Sequence, residues 1–166
     1  MSKLIITKSL RSYYKNPRQI AHKVLANRMG ARDPGNKPGA GDRIPFVYIQ
    51  TAKKAALQGE RIEHPTFIKE NRLRPDYEFY ITNQLMKPLL QVFSLVLEDI
   101  PAFRRRLPEF RNKLSVLRQT CESEEAYEKK ETKLRNDNVE RLIFADILRE
   151  IKNKRQGNVS IASYFT

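Results

Sequence analysis

The sequence is poor in residue types on which many enzymes and secreted proteins depend. It has one cysteine, Cys121, no tryptophan and two histidines, His22 and His64. A single cysteine excludes a disulfide framework and any zinc site built from several thiolates, and it is typical of a reducing compartment. The two histidines lie far apart without ligand-like neighbours, so the residues alone favour a surface or capping role for each.

Catalytic motifs are also missing. The glycines of residues 35–41 lack the G-x-x-x-x-G-K-[ST] order of a phosphate loop. Two-metal nucleotidyl transfer needs carboxylates that clamp both ions, and the acidic pairs at 98–99 and 124–125 instead have the pattern of solvated helical charge. We therefore predict no catalytic and no metal-ligating residues. No apolar run approaches the length of a membrane span and no signal peptide is present, so we expect an intracellular protein without a membrane partner.

Negative charge is scarce in the first third of the chain. The whole sequence has 32 Lys and Arg against 19 Asp and Glu, a formal charge of +13. Residues 1–61 hold 13 of the basic residues and only 3 of the acidic ones. Such an excess indicates a polyanionic partner, although a basic surface that merely confers solubility stays an alternative. Tyr13, Tyr14 and Tyr48 are interleaved with these cations.

Apolar spacing and turn formers predict a mainly helical chain with a few small strands near the N-terminus. Residues 3–9 and 43–50 have strand character, and turn-forming residues 33–42 predict a loop between them and a preceding helix. That helix is predicted to start at Pro17 and to be capped by Gly30.

The rest of the chain is predicted to be helical. Asp76 is a candidate N-cap for a helix whose apolar positions run to Ile100, and Pro88 predicts a kink or two abutting helices within it. Residues 51–64 are polar and irregular. Residues 102–118 and 122–136 are charged helical stretches, and an amphipathic helix over 139–151 precedes a basic linker at 152–157.

Two blocks of sequence resemble a known family. Residues 6–29, ITKSLRSYYKNPRQIAHKVLANRM, and residues 41–49, GDRIPFVYI, match a T-K-x-L strand end, a His-then-apolar helix and a G-D-R-[IV]-P-[YF]-V strand. Residues 64–93 contain N-Q-L-M-K-P-L-L-Q-V-F, although His64 replaces the usual Asp before Pro65. In this order the blocks resemble the thumb region of family B DNA polymerases, particularly the delta-like branch of eukaryotes and large DNA viruses.

This resemblance implies a mostly helical thumb with small strands at its base. Residues 1–10 would be the palm-to-thumb strand and residues 11–151 the thumb. The S-L-Y-P-S and Y-G-D-T-D-S palm motifs do not occur here, so we expect no polymerase activity from this chain alone, and we expect Mg²⁺ in the parent polymerase only. The cysteine-rich module of the cellular delta enzyme is absent too, which favours a viral member.

The resemblance also implies partners and binding residues. The thumb would grip primer–template duplex through backbone phosphates beside the palm and fingers, at a replication site in the nucleus or in a cytoplasmic viral factory. The expected DNA-binding residues are Lys8, Arg11, His22, Arg28, Arg43 and, with weaker support, Lys87.

The tail, residues 158–166, raises a separate expectation. NVSIASYF resembles the clamp-binding box Q-x-x-[ILM]-x-x-[FY]-[FY], with Asn158 in the place of Gln and with Ile161, Tyr164 and Phe165 as the three anchors. This spacing puts an aliphatic and an aromatic side chain side by side for a hydrophobic pocket on a sliding clamp. The alternative is that the tail packs on its own domain.

Other readings stay open at this point. A basic nucleic-acid-binding accessory module, for RNA or DNA, would share the same charge distribution. The sequence also leaves open whether the chain is a fragment, a separately encoded subunit or a decayed gene copy. A reading frame that continues upstream into palm motifs would favour the polymerase interpretation.

Overall fold

A computed structural model describes residues 2–52 and 57–156. The chain divides into two compact units, Met1–Tyr80 and Ile81–Thr166. Strands occur in the described part of the first unit, and the described part of the second is helical. The predicted fold class, mainly helical with a few small strands near the N-terminus, is therefore confirmed. Among the described residues, no helix has both the length and the apolar character to cross a membrane.

Three short strands form the sheet of the first unit. They are β1 (Ile6–Ser9), β2 (Arg43–Tyr48) and β3 (Ile62–Glu63). The sheet is antiparallel in the order β1-β2-β3, with Ser9 opposite Arg43 and Val47 opposite Glu63. Because β2 is the central strand, most of its residues are buried on both faces.

Helices cover this sheet and close the first core. They are α1 (Ala21–Arg32), α2 (Pro65–Glu70) and α3 (Tyr77–Tyr80), with 3₁₀ turns at Ser2–Leu4, Pro17–Gln19, Pro34–Asn36 and Gln58–Glu60. Leu25 of α1, Ile68 of α2 and Ile62 of β3 are almost completely buried. These three residues belong to one apolar cluster, which joins the sheet to α1 and α2.

Several predicted boundaries in this unit are wrong. The first strand begins at Ile6, and Pro17 starts a separate 3₁₀ turn before α1. Gly30 is not a C-cap, because α1 continues through it to Arg32. A Cβ at Gly30 would lie 2.5 Å from Cγ of Lys37, so this glycine allows a close approach. The helix α2 falls in a segment for which no helix was predicted.

The second unit is built on four helices among its described residues. They are α4 (Met86–Phe93), α5 (Leu107–Thr120), α6 (Glu124–Val139) and α7 (Ala145–Gln156). Wide, π-type turns at Ile81–Leu85 and Glu140–Phe144 precede α4 and α7, and 3₁₀ turns occupy Leu97–Asp99 and Pro101–Arg106. The buried residues Leu97, Phe103, Phe110 and Val139 form its core.

The predicted long helix after Asp76 is interrupted, as Pro88 indicated. Asp76 caps α3 by accepting the Phe79 N–H at 3.0 Å. Pro88 cannot donate to a carbonyl one turn back, and the chain widens into the π-type turn just before α4. The helix ends at Phe93, so Ile100 lies beyond it.

The end of the chain also differs from the expectation. Helix α7 runs to Gln156 and takes in most of the residues predicted as a basic linker. Residues 152–156 continue the helical pattern with long straight side chains, which favour helix over an irregular linker. The clamp-binding residues Asn158, Ile161, Tyr164 and Phe165 lie outside the described residues.

Candidate nucleic-acid interface

The antiparallel strand pair of β1 and β2, whose strands are connected through residues 10–42 with α1 between them, holds several of the predicted basic residues. Its ladder extends one residue beyond β1, because the Leu10 N–H donates to the Asp42 carbonyl at 2.8 Å and the Leu10 carbonyl accepts the Gly41 N–H at 2.9 Å. Gly41 has φ +91°, a conformation that glycine adopts without strain. Asp42 closes the loop by accepting the Gly39 N–H at 2.7 Å. The result is a fixed strand end that begins with Arg43.

Three predicted DNA-binding residues, Lys8, Arg11 and Arg43, lie at this end of the strand pair, and they are called the β1–β2 cations below. Ser9 is opposite Arg43 and Lys8 is opposite Ile44, so the Lys8 and Arg43 side chains are on different faces of the sheet, and Arg11 follows directly after Leu10. All three side chains are exposed. Within residues 2–52 and 57–156, no carboxylate lies within ion-pairing distance of any of the three charges. These cations are therefore available to a polyanion.

His22 supports the loop that carries Arg11. The Tyr14 hydroxyl accepts the Arg11 backbone N–H at 2.7 Å and lies 3.0 Å from His22 Nε2. The hydroxyl and the imidazole thus share one hydrogen bond, in which an unprotonated Nε2 accepts and a protonated Nε2 donates. The two rings meet edge to face, with centroids 5.9 Å apart.

The surroundings of His22 favour its neutral form. Burial lowers its pKa, and the positive charges of Lys8 and Arg11 lower the pKa further, against a hydrogen bond to the Ser9 backbone that raises it. The two cations thus lie close enough to His22 to affect its titration. Lys8, Arg11 and His22 form one electrostatic cluster, in which His22 is a neutral supporting group in the folded chain.

Arg28 has a different environment on the next turns of α1. Its guanidinium donates to the Gly59 carbonyl at 3.1 Å and to the Ile62 carbonyl, and it pairs with Glu63 at 3.2 Å. Arg32 pairs with the same buried carboxylate at 2.9 Å. Arg28 is thus engaged inside the unit, and its role in DNA binding stays a prediction.

Sequence reasoning missed Glu63 as the residue that organises these arginines. Glu63 is 3% exposed, and its second oxygen accepts the His64 N–H at 2.9 Å. Arg32 also covers the Phe67 ring, with its guanidinium carbon 3.5 Å from the centroid. Nothing in the local pattern of the sequence indicates this pairing, because about 30 residues separate the partners along the chain.

The remaining predicted residues lie elsewhere. Lys87 is exposed on α4 in the second unit. Phe79 and Tyr80, interpreted as core residues rather than base-stacking ones, do pack in the first core: Phe79 stacks on Tyr48 at 3.7 Å, and Tyr80 is buried. The Tyr80 hydroxyl accepts the Tyr48 N–H at 3.0 Å and donates to the Leu4 carbonyl at 2.6 Å. Burial raises the pKa of Tyr80 and keeps the hydroxyl protonated.

Among the described residues, no three or more His, Cys, Asp or Glu side chains come together as a metal ion would need. The buried carboxylates Glu63 and Asp76 instead pair with arginines, Asp76 with Arg61 at 3.0 Å. The surface described above is suited to binding an anion and offers no side-chain set for metal-assisted chemistry.

Comparison with known proteins gives a family for the whole first unit and the start of the second. The model of DNA polymerase family B matches residues 1–96. A DNA polymerase of Pyramimonas orientalis virus is 45% identical over 170 aligned residues, covering 100% of this chain and 14% of that protein. A DNA polymerase of Acanthamoeba polyphaga mimivirus is 50% identical over 110 residues, covering 62% of this chain and 6% of that protein.

A cellular relative shows the same region. The DNA polymerase delta catalytic subunit of Caenorhabditis elegans is 44% identical over 100 residues, which are 60% of this chain and 9% of the subunit. The chain thus spans about a seventh or less of the length of these relatives. The family match covers more than half of the chain and includes β1, β2, α1 and Glu63 with its arginine partners. This chain belongs to DNA polymerase family B.

Proposed function

We propose that the chain is the C-terminal thumb portion of a DNA-directed DNA polymerase, and that it grips primer–template duplex during DNA replication. The observation that carries this proposal is a set of three exposed cations, without a carboxylate partner among the described residues, at one end of the β1–β2 strand pair: Lys8, Arg11 and Arg43. A replicative grip must hold every sequence and release it at each step. Phosphate contacts provide affinity without reading bases, so cations on a rigid strand end suit this task.

The predicted residues then have two kinds of role. Lys8, Arg11 and Arg43 contact phosphates directly, and exposed Lys87 adds a contact from the second unit. His22 holds the loop of Arg11 through Tyr14, and the partners of Arg28 favour a role in positioning β3 against α1. Removing a positioning residue would misplace the cations without removing a contact.

The catalytic chemistry belongs, in this proposal, to the palm and fingers that the longer relatives' length leaves room for. The described residues of this chain do not fit a Mg²⁺ site, so no step of nucleotide transfer is assigned to them. Primer extension by the isolated chain with Mg²⁺ and nucleotides should give no product. The place of action would be a replication site, in the nucleus or in a viral factory.

The test of the grip is duplex binding as a function of salt. The variant K8Q/R11Q/R43Q removes three charges and keeps much of each apolar stem. Fluorescence anisotropy with a labelled primer–template duplex should show weaker binding on every sequence, and the slope of log K against log salt should decrease by about 2 to 3 units, near 0.9 per lost contact.

A matched control distinguishes the effect of the β1–β2 cations from the effect of net charge. R118Q/R149Q/K154Q removes three exposed cations of the second unit, each of which has a carboxylate partner within about 3 Å. It should change the slope by less than about one unit. Equal effects of the two triple variants would contradict a specific role of the β1–β2 cations in duplex binding. Tighter binding to an RNA duplex than to DNA would instead favour the accessory-module alternative.

We also propose that residues 158–165 bind a sliding clamp. Only their spacing supports this, with Ile161, Tyr164 and Phe165 as the anchors and Asn158 at the amide position. A segment that orders on binding loses entropy, so a peptide of residues 152–166 should bind the clamp of the same replication system with a Kd on the order of micromolar.

Calorimetry with that peptide tests the clamp proposal. Replacing Tyr164 and Phe165 with Ala should cost about 2–4 kcal/mol and abolish detectable binding, because aromatic anchors act as hot spots. Asn158→Gln should tighten binding slightly. If the peptide does not bind and the double change lowers the melting temperature of the whole chain, the tail packs on its own domain.

A further inference from the structure

The second unit has a small polar pocket that is lined by its own residues only. Its volume is about 160 Å³. The first two turns of α5 form one side, and the end of α6 with the π-type turn that follows forms the other. Its lining residues are Arg106, Glu109, Phe110, Lys113, Asn138 and Arg141.

The pocket has more positive than negative charge. Lys113 Nζ lies 2.6 Å from Glu109 Oε1, so this lysine and this carboxylate neutralise each other. Among the described residues, no carboxylate is within ion-pairing distance of Arg106 or Arg141. Arg106 and Arg141 therefore line a common pocket in which the one carboxylate, Glu109, is already paired with Lys113.

The titration of Glu109 supports this convergence. The hydrogen bond from Lys113 and its charge lower the pKa of Glu109 most, and the charges of Arg141 and Arg106 lower it further. Both arginines, although far apart in the sequence, thus act on the same carboxylate. An anion that enters the pocket would experience the same attraction.

Local structure explains how these side chains meet. Arg106 ends a 3₁₀ turn that runs directly into α5, and Glu109 and Lys113 are one helical turn apart on it. Arg141 belongs to the π-type turn Glu140–Phe144, a helix irregularity that occurs often at functional sites. Buried Phe110 lines the pocket from the core side. The site is made by side chains, because the first amide of α5, that of Leu107, already donates to Arg104.

We propose that this pocket binds a phosphate group, with Arg106 and Arg141 as its two guanidinium ligands. The planar fork of arginine matches phosphate oxygens with paired hydrogen bonds. Glu109 limits the affinity by competing with the anion for Lys113. The proposal depends on residues of the second unit only and does not require that the β1–β2 cations grip DNA.

The experiment follows the arginine Nε–H signals of the full chain by NMR during titration with inorganic phosphate at constant ionic strength. The signals of Arg106 and Arg141 should shift and saturate. R106Q/R141Q should weaken phosphate binding about tenfold or more, since two charge-assisted bonds are lost. E109Q should tighten binding about threefold by freeing Lys113.

Controls and a second ligand complete the test. R149Q removes an exposed arginine of the same unit, paired with Asp146 at 2.7 Å, and should leave phosphate binding unchanged. If R106Q/R141Q also lowers the salt slope for duplex DNA, the bound phosphate belongs to a nucleic-acid backbone. If duplex binding is unchanged, the ligand is a free phosphate compound.

Two results would overturn the proposal. One is an equal set of shifts when chloride replaces phosphate, which would show general screening. The other is the same phosphate affinity in R106Q/R141Q as in R149Q. Neither result bears on the proposed grip by the β1–β2 cations, because the variant K8Q/R11Q/R43Q that tests it changes residues of the first unit only.

Discussion

Arg28 offers the sharpest test of how the first unit uses its positive charge. It stands among the residues expected to bind DNA, yet its guanidinium donates to the Gly59 and Ile62 carbonyls and pairs with Glu63. We predict that Arg28→Ala mainly lowers the stability of the first unit. A position that only contacts phosphate, such as exposed Arg43, should lose affinity and little stability when changed.

The magnitude follows from the contacts. Two hydrogen bonds from a charged donor contribute about 1.5 kcal/mol each, at the lower end of the range for charged groups because the side chain is partly exposed. Loss of the only partner of a buried charge costs about 3–5 kcal/mol, but Glu63 keeps Arg32, so this term is much smaller here. The Arg28 side chain is 29% exposed, which lowers the contribution of the ion pair further. The expected loss is about 2–3 kcal/mol, or roughly 10–20 °C in the melting temperature of this unit.

Amide hydrogen exchange measured by NMR is the appropriate assay. The exchange of β2 amides such as Val47 reports the first unit alone, whereas circular dichroism would add the signals of both units. Arg28→Ala should accelerate this exchange about 30- to 150-fold where exchange follows global opening, and Arg43→Ala should leave it within about twofold.

Duplex affinity provides the contrary outcome. It is measured well below the melting temperature of each variant, so that every chain is folded. Arg43→Ala should lower the salt slope by about 0.9, and Arg28→Ala should leave it nearly unchanged. If Arg28→Ala keeps wild-type exchange and lowers the slope as much as Arg43→Ala, Arg28 is a phosphate contact and the structural interpretation is wrong.

Further outcomes are expected. Burial and nearby cations lower the pKa of His22, so stability measured by thermal melting should decline as the pH falls below the unfolded-state value of 6.5. Tyr14→Phe removes a hydrogen bond to the Arg11 N–H and should cost about 1 kcal/mol by thermal melting at pH 7.5. Burial opposes ionisation of Glu98, but two arginine hydrogen bonds prevail and lower its pKa; the stabilisation, present above the unfolded-state value of 4.5, should disappear as the pH falls through the folded-state pKa, and not in Glu98→Gln, as acid titration by circular dichroism would show. Gly59→Ala would place a Cβ 2.7 Å from Cβ of Val24 and should cost about 1–3 kcal/mol in urea unfolding. Adding Val24→Ala to this variant should recover part of the loss, and equal stability of the wild type, the single variant and the double variant would contradict this contact.

The sequence by itself determined the features that depend on local chemistry. The strand with the G-D-R-I-P-F-V-Y pattern is β2, and its start follows from Gly41 and Asp42, which form the turn before it. Asp76 caps a helix as its side chain predicts, because capping involves residues three apart. The charge imbalance and the ordered motif blocks were sufficient for the family, since a long match in correct order does not depend on any single contact.

Helix ends were less predictable, because competing local signals must be weighed against packing. Gly30 has the features of a cap, but the helix continues to Arg32, and the glycine instead leaves room for Lys37, which packs where a side chain at Gly30 would lie. Residues 152–156 have linker-like charge, and they are helical as a continuation of α7. Propensity is a weak guide at such positions, where a fraction of a kcal/mol per residue separates the alternatives.

Only the tertiary structure distinguished among cations that look equivalent in the sequence. Lys8, Arg11 and Arg43 remain exposed at a strand end, while Arg28 and Arg32 converge on Glu63, which lies more than 30 residues away. A charge in the sequence has the same value everywhere, but its availability depends on whether folding brings a carboxylate or a carbonyl within about 3 Å, where Coulomb attraction is strong. The chain path sets these distances, and it therefore decided which cations stabilise the fold and which face a partner.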